Sequence, residues 1–276
     1  MLAMMHSHGL FASYKIHLSN DLSSDSLIYP CNKKYRIFDF ASNNVNVIVK
    51  DGFPADDLNK EISFRLTHEA DFIPKIISHA SNGYTEAIID GFPVARSYEH
   101  IKEYSDKAMN IWNEYIKTFR RKLTANEYAD MLVERIESLV KIGKTRGKHI
   151  DEESISHVVE MLAKRICNSN EAIYVTLSHG DLQSGNIWVE NKTGRIVIID
   201  WESCEERSEW YDYATLYKSL RSPGKSIVFQ PPFDLEKHTV ILEDFIFRIG
   251  EFVNLPFDYG ESAFLKYVNF VASILV

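Results

Sequence analysis

Residues 178 to 202 read SHGDLQSGNIWVENKTGRIVIIDWE, and this stretch carries most of the functional information in the chain. Two short apolar runs in it, with a polar turn between them, predict a β-hairpin. The turn residues 192–194 read Lys-Thr-Gly, which predicts a three-residue loop with Gly194 in the left-handed conformation. Asn186 opens the first strand and Asp200 closes the second, so two polar side chains stand at the same end of the hairpin.

The pairing of this hairpin predicts a metal site. If Asn191 pairs with Arg195, Asn186 lies directly opposite Asp200. Directly opposed residues of an antiparallel pair have Cβ atoms roughly 5 Å apart. An amide oxygen and a carboxylate at that distance can converge on one hard cation such as Mg²⁺. Asp181 lies just before the hairpin, on the loop that leads into it. The alternative interpretation of this stretch is a plain hairpin with polar ends.

The same residues carry a family resemblance. The spacing of Asp181, Asn186 and Asp200 resembles the catalytic loop and metal-binding aspartate of the protein kinase fold. The sequence HGDLQSGN at residues 179–186, with IDWE at residues 199–202, is closer to the aminoglycoside phosphotransferase and choline kinase superfamily. This resemblance implies that Asp181 is the catalytic base and that Asn186 and Asp200 are the ligands of Mg²⁺.

The resemblance also implies a fold of the α+β class with two lobes, similar to protein kinases. A small antiparallel-sheet lobe with one helix would occupy residues 1–92 and bind the nucleotide, and a larger, mainly helical lobe would occupy residues 93–276. The patterns of apolar residues agree with this division. They predict strands at residues 14–18, 35–40, 45–50 and 84–89, a helix near residues 58–66, and then helices at residues 98–122, 125–144, 152–167, 209–221, 234–253 and 261–275.

Composition excludes several classes of protein. The 276 residues are 45% hydrophobic and 25% charged, which is ordinary for a globular enzyme, and the net charge of −8 argues against a broad nucleic-acid surface. The three cysteines have no paired spacing, which suits a reducing compartment. No segment reaches the roughly 18 apolar residues of a membrane span, so we expect a cytoplasmic protein without a membrane partner. The oligomeric state is left open.

A kinase-like lobe requires a lysine at the end of its third strand that binds the α and β phosphates and pairs with a glutamate on the next helix. Lys50 ends the run VIVK, and Glu61 is the preferred glutamate, with Glu69 as its rival. The resemblance further places Ile89 and Gly91 at the hinge, where main-chain groups would contact the adenine. The alternative for Lys50 is a strand-end lysine in water, and for Glu61 it is a residue of a solvated helix face. The alternative for Ile89 and Gly91 is an ordinary linker between the lobes.

One feature departs from the kinase pattern, because no glycine-rich loop precedes Lys50. The candidate loops, residues 19–26 and 41–44, contain no glycine. Close approach of the backbone to phosphates would then depend on serine and asparagine turns.

The segment after Asp200 is both acidic and aromatic. The sequence YDYA at residues 211–214 resembles a superfamily motif whose aspartate, here Asp212, braces the catalytic loop. His179 is expected to hydrogen-bond the loop backbone. The carboxylates and rings of residues 202–213 either line a pocket for a cationic substrate or form a helix end with buried aromatic anchors, and the second interpretation is preferred.

The function that follows is a phosphotransferase that uses ATP and Mg²⁺ to phosphorylate a hydroxyl of a small molecule, such as an amino sugar or a choline-like metabolite. Asp181 would take the proton while Lys50, Asn186 and Asp200 hold the phosphates through Mg²⁺. The alternative is a non-catalytic kinase-like module that binds nucleotide or a protein. A protein kinase is disfavoured because no Ala-Pro-Glu segment follows Asp200.

Overall fold

The computed structural model describes residues 25–169, 172–218, 220, 237–255 and 261–275. Its first part is a five-stranded antiparallel sheet with the strand order β1-β2-β3-β5-β4. The strands are β1 (Ser26–Pro30), β2 (Lys34–Asp39), β3 (Asn44–Val49), β4 (Ile76–Ala80) and β5 (Gly83–Ala87).

One helix, α1 (Asp56–Thr67), lies between β3 and β4 in the chain and packs on this sheet. Its Leu58 and Ile62 join Val45, Val47 and Tyr84 in a small apolar core. The buried face of α1 also carries two charged residues, Glu61 and Arg65, at the same helical spacing. This helix therefore brings ionised groups to the inner face of the sheet.

The chain then passes through β6 (Gly91–Pro93), which pairs with β9 (Ile187–Glu190) of the central hairpin. Two small sheets carry the loops of the second lobe, with the orders β10-β9-β6 and β11-β8-β7. Their remaining strands are β7 (Arg121–Thr124), β8 (Ala172–Ser178), β10 (Ile196–Ile198) and β11 (Glu205–Ser208).

The second lobe is mainly helical, as predicted. Thr124 caps its longest helix through a capping box with Glu127, in which each side chain accepts the backbone N–H of the other residue. The described helices of this lobe are α2 (Ile101–Ile116), α3 (Ala125–Thr145), α4 (Glu152–Cys167), α5 (Tyr211–Tyr217), α6 (Lys237–Asn254) and α7 (Glu261–Leu275). Of these, α3, α4, α6 and α7 pack around one large apolar core in which Phe245 and Leu162 are fully buried.

The two-lobed α+β architecture and the predicted elements within the described residues are confirmed. The prediction missed β1, β6, β7, β8 and β11, and it extended α2 and α5 beyond their observed ends. The strand predicted at residues 14–18 lies outside the described residues, and the division of the chain at residue 92 stays a prediction. Across the described part of the chain, no helix combines the length and the apolar content needed to cross a membrane.

Candidate active site

The loop that carries Asp181 is braced from beneath by Asp212. Asp212 is 4% exposed, and its Oδ1 accepts hydrogen bonds from Ser178 Oγ and Gly180 N, each at 3.0 Å. Its Oδ2 accepts from His179 N and from Trp112 Nε1, each at 2.8 Å. Hydrogen bonds to an ionised acceptor are about twice as strong as neutral ones. The brace predicted for Asp212 is therefore confirmed in its geometry.

His179 contributes to the same loop through its ring. Nε2 lies 3.0 Å from the carbonyl oxygen of Ile199, and Asp181 N donates to Nδ1 at 3.3 Å. The ring also packs on Trp201, with centroids 4.5 Å apart. The predicted structural role of His179, in contact with the loop backbone, is confirmed.

Asp181 is oriented by its two neighbours in the loop. Gln183 Nε2 donates to its Oδ1 at 2.6 Å, and Asn186 Nδ2 donates to its Oδ2 at 3.1 Å. Asn186 Nδ2 also donates to the backbone oxygen of Asp181 at 2.9 Å. Because both contacts use the amide nitrogen, the amide orientation is fixed and Asn186 Oδ1 points away from Asp181. An oxygen suited to a hard cation is thus presented beside the candidate base.

The hairpin register differs from the prediction by one residue. Ile198 pairs with Ile187, and Ile199 N donates to Asn186 O at 2.9 Å, so Asn186 lies opposite Ile199 and not Asp200. The turn has four residues instead of three, because Asn191 is bound by Asp90 through both its backbone and its side chain. Gly194 adopts the predicted left-handed conformation, with φ of 66°.

Asp200 reaches the cleft through an unusual backbone conformation. It lies in the left-handed region with φ of 72° and ψ of 57°, which is uncommon for a residue with a side chain. The turn drops the following Trp201 into the core, where its Nε1 donates to Ile198 O at 2.9 Å. Strain of this kind persists only where the surroundings hold it, and it is concentrated at functional sites.

The carboxylate of Asp200 is held by two cations from β2. Lys34 Nζ lies 2.5 Å from its Oδ1, and Arg36 lies 3.5 Å from the same oxygen. Burial opposes the ionised form of Asp200, but the charges of Lys34 and Arg36 outweigh it and hold the pKa well below its usual range. Asp200 is therefore ionised at neutral pH, as a metal ligand must be.

Lys34 also contacts Glu202 and Glu61, so three carboxylates surround one ammonium group. Glu202 Oε2 lies at 2.9 Å from Nζ and Glu61 Oε2 at 3.5 Å. Ligand oxygens of the three acids lie within 4.8 Å of one another. Burial disfavours the charged form of Lys34, yet Asp200, Glu61 and Glu202 together raise its pKa well above the usual value. Lys34, Glu61 and Asp200 thus form an ionised network at the junction of the two lobes, whereas burial raises the pKa of the adjoining Glu202 to about 7.

Glu61, and not Glu69, is the buried glutamate of α1, as preferred from the sequence. Glu61 is fully buried and pairs with Lys34 and with Arg65, whose NH1 lies 3.2 Å from Oε1. The predicted partner Lys50 points elsewhere, since its Nζ donates to Asn32 O at 3.1 Å and lies over the ring of Tyr35. The predicted ion pair between Lys50 and Glu61 is therefore wrong, because Glu61 pairs with Lys34 and not with Lys50.

The physical reason is strand parity. Successive side chains of a strand point to opposite faces, and the face of β3 that meets α1 carries Val45, Val47 and Val49. Residue 50 falls on the other face. Lys34 and Arg36 alternate along β2 on the face shared with these valines, but this is known only from the register of β2 and β3, so the sequence alone does not single out Lys34.

The predicted hinge residues lie between the lobes. Gly91 pairs with Glu190, and a Cβ at Gly91 would meet the backbone oxygen of Val189. Ile89 lines a cavity of about 640 Å³ between α1, β4 and the central hairpin. Contact of Ile89 and Gly91 with a nucleotide stays a prediction.

The turn between β1 and β2 stands where a kinase carries its glycine-rich loop, and it lies outside both predicted loops. Cys31 N donates to Lys34 O at 2.9 Å and closes this turn. Lys33 at its end binds Asp57 of α1 at 2.8 Å and Glu251 of α6 at 2.6 Å. The turn is thereby tied to the second lobe.

The acidic residues that follow Asp200 are matched by basic side chains. Glu205 is bound by Lys60, Arg135 and Arg207, which hold its pKa at about 2 against the effect of burial. Tyr211 is fully buried. The aromatic anchors predicted here are therefore found, with ion pairs in place of solvated carboxylates. The other pairs are Glu206 with Arg121 and Glu209 with Arg120.

Comparison with known proteins agrees with this geometry. The family model described as choline/ethanolamine kinase matches residues 55–220. No curated protein sequence matches significantly. Similar solved structures include an ethanolamine kinase of Plasmodium vivax, at 15% identity and a TM-score of 0.55, with 91% of this chain and 81% of that chain covered.

Two further structures show the same fold. The choline kinase LicA of Streptococcus pneumoniae has 15% identity and a TM-score of 0.52, with 99% of this chain and 98% of that one covered. The streptomycin–ATP complex of the aminoglycoside phosphotransferase APH(2'')-IIa has 12% identity and a TM-score of 0.56, with 91% of each chain covered. With more than half of its length matched by the family model, the chain belongs to the choline/ethanolamine kinase family and is a small-molecule phosphotransferase.

Proposed function

We propose that this enzyme transfers the γ-phosphoryl group of ATP, with Mg²⁺, to a hydroxyl group of a small molecule. The observation that carries the proposal is the arrangement of Asp181, whose two oxygens are fixed by Gln183 and Asn186 on a loop braced by Asp212. A positioned carboxylate that accepts the hydroxyl proton is what this reaction needs, since catalysis of phosphoryl transfer is mainly positioning and charge stabilisation.

The donor atoms at the end of the hairpin suit a hard divalent cation. Asn186 presents an amide oxygen because its nitrogen is bound to Asp181. Asp200 presents an ionised carboxylate. These two residues would hold Mg²⁺, which would neutralise negative charge on the phosphoryl group during its transfer. Glu61 would form an ion pair with the basic side chain that binds the phosphates and would thereby orient it. Ile89 and Gly91 would border the adenine site.

The acceptor is proposed only as a class. The relatives are named for choline and ethanolamine, and one was solved with streptomycin. All three molecules carry a hydroxyl group and a cationic nitrogen group, so we propose an amino alcohol or amino sugar. We also propose a cytoplasmic location, where ATP is abundant and the free thiols of Cys31, Cys167 and Cys204 stay reduced.

The test is ATP consumption with Mg²⁺ over a panel of choline, ethanolamine and amino sugars, for wild type and Asp181→Asn. The substitution keeps the size of the side chain but removes the base, so kcat should fall by a factor on the order of 100 to 10,000. Removal of Mg²⁺ by chelation should abolish turnover in wild type.

Asp130→Asn is the matched control, because Asp130 is exposed on α3, away from the hairpin. It should retain the wild-type rate. Acceptor-dependent turnover that is equal in wild type and Asp181→Asn would remove Asp181 as the base. Nucleotide binding without turnover of any acceptor would favour the non-catalytic module.

A further inference from the structure

We infer that Lys34, on β2, is the lysine that binds the α and β phosphates in this enzyme, in place of a lysine on β3. This inference rests on the proposed function, since it assigns a residue to the nucleotide of that reaction. In kinase-like folds the phosphate lysine is recognised by its ion pair with the glutamate of the first-lobe helix, next to the metal-binding aspartate. Lys34 makes both contacts, with Glu61 and with Asp200.

The register of the sheet explains how a residue of β2 reaches this position. Lys34 lies directly opposite Val49. Lys50 N donates to Lys33 O at 2.9 Å, so residues 33 and 50 form a hydrogen-bonded pair. The two kinds of pair alternate along an antiparallel ladder, so the next pair, Lys34 with Val49, is a non-hydrogen-bonded pair. Side chains of such non-hydrogen-bonded pairs lie closest, with Cα atoms roughly 4.5 Å apart. An ammonium from β2 therefore occupies the space that one from position 49 would reach.

β3 itself offers no cation on this face. Its residues 45, 47 and 49 are all valines, and Val45 and Val47 are almost fully buried in the small apolar core. Lys50 extends from the opposite face to the oxygen of Asn32. A charge that is required at the cleft is thus supplied by the neighbouring strand.

Burial and charge show that Lys34 is placed for this purpose. Its side chain is 6% exposed, whereas a strand-end lysine normally extends into water. Lys34 and Arg36 supply two positive charges beside Asp200, and a bound triphosphate would add negative charge there. Lys34 can keep its contact with Glu61 while its other N–H groups turn from Asp200 to phosphate oxygens, since an ammonium has three donors.

The experiment compares nucleotide binding and steady-state kinetics of wild type, Lys34→Met, Lys34→Arg and Lys50→Met. Lys34→Met removes the charge, and Lys34→Arg keeps it in a planar group that cannot sit among three carboxylates in the same way. Both should lower kcat/KM for ATP, Lys34→Met by a factor on the order of 100 or more. KM for the acceptor should change by less than about threefold, because the lysine touches only the nucleotide.

A second measurement separates phosphate binding from a merely structural role. Affinity is measured for adenosine and for ADP with Mg²⁺. Lys34→Met should weaken binding of ADP by roughly tenfold or more and leave adenosine unchanged, whereas general loosening of the lobe would weaken both. The relocated pair Lys34→Val with Val49→Lys returns the ammonium from the opposite strand and should recover at least about a tenth of the wild-type kcat/KM.

Lys102→Met is the matched control, because Lys102 is 86% exposed and pairs with Asp106 on the surface. Lys50→Met should behave like this control. The inference is overturned if Lys50→Met loses ADP affinity while Lys34→Met keeps it, or if both lose it equally, and in these cases the proposed function stands. Wild type that neither binds nucleotide nor consumes ATP would overturn the proposed function itself.

Discussion

Replacement of Asp212 by asparagine tests how the catalytic loop is held. Each oxygen of Asp212 accepts from two donors: Oδ2 from His179 N and Trp112 Nε1, and Oδ1 from Ser178 Oγ and Gly180 N. Neither donor at Oδ2 can reverse its role. The asparagine nitrogen should therefore take the place of Oδ1, where the hydroxyl of Ser178 can turn and accept a hydrogen bond.

The cost of this substitution follows from the same contacts. Gly180 N loses its 3.0 Å acceptor, faces an NH₂ group and keeps only its 3.1 Å hydrogen bond to Ser178 Oγ. Because this second acceptor remains, the loss should lie near the lower end of the roughly 1–3 kcal/mol that an unsatisfied buried donor costs. The two remaining hydrogen bonds at Oδ2 lose their charged acceptor, which costs about 0.5 kcal/mol or more for each bond. Asp212→Asn should thus lower the free energy of unfolding by about 2 kcal/mol.

Urea denaturation followed by circular dichroism measures this loss, and hydrogen exchange at the amides of His179 and Gly180 locates it. Both amides should exchange faster in Asp212→Asn, whereas amides of α4, which packs in the large core, should keep their relative protection. The exposed Asp130→Asn serves as the control. A loss below about 1 kcal/mol, or unchanged protection at Gly180, would refute the account of the brace.

Two further predictions concern stability. Glu243 is fully enclosed beside Tyr128 and Ser208, and burial raises its pKa from 4.5 to about 7. Between these two pH values the folded state therefore retains a proton that the unfolded chain releases. Its contribution to stability is complete below pH 4.5 and is lost as the pH rises to 7, by about 3 kcal/mol in total. Glu243→Gln mimics the protonated acid, so its advantage over wild type in urea should grow from about pH 5 to about pH 8, and a gap that does not change with pH would contradict the assignment. Gly180→Ala should destabilise by about 2–4 kcal/mol, because Gly180 has φ of 82° and an added Cβ would meet the oxygen of Ser203. The matched Gly185→Ala has nothing within 4 Å of its Cβ, and equal thermal shifts for the two alanine variants would be inconsistent with this explanation.

The predictions that succeeded rest on local patterns. The stripe of apolar residues at helical spacing located α3 and α4 to within a residue, and the capping box at Thr124 marked the start of α3. The motif from Ser178 to Glu202 located the loop of Asp181 and the end of the hairpin. These features depend on neighbours within a few residues, which is the range over which a sequence pattern predicts local structure.

The predictions that failed depend on contacts between distant segments. The hairpin register was wrong by one residue because Asp90, from the hinge, binds Asn191, which joins the turn instead of pairing with Arg195. Lys34 was missed because its importance arises from Asp200 and Glu61, which lie far away in the sequence. A lysine followed by tyrosine and arginine is, locally, an ordinary polar strand start.

The amino-acid sequence by itself indicated the family, the division into a strand-rich part and a helical part, and the loop and hairpin on which Asp181, Asn186 and Asp200 lie. Tertiary structure alone decided which cation stands among the carboxylates and how Asp200 turns into the cleft. The physical reason is that a buried charge must find an opposite charge nearby, and folding brings those partners together from strands and helices whose separation along the chain carries no signal of their contact.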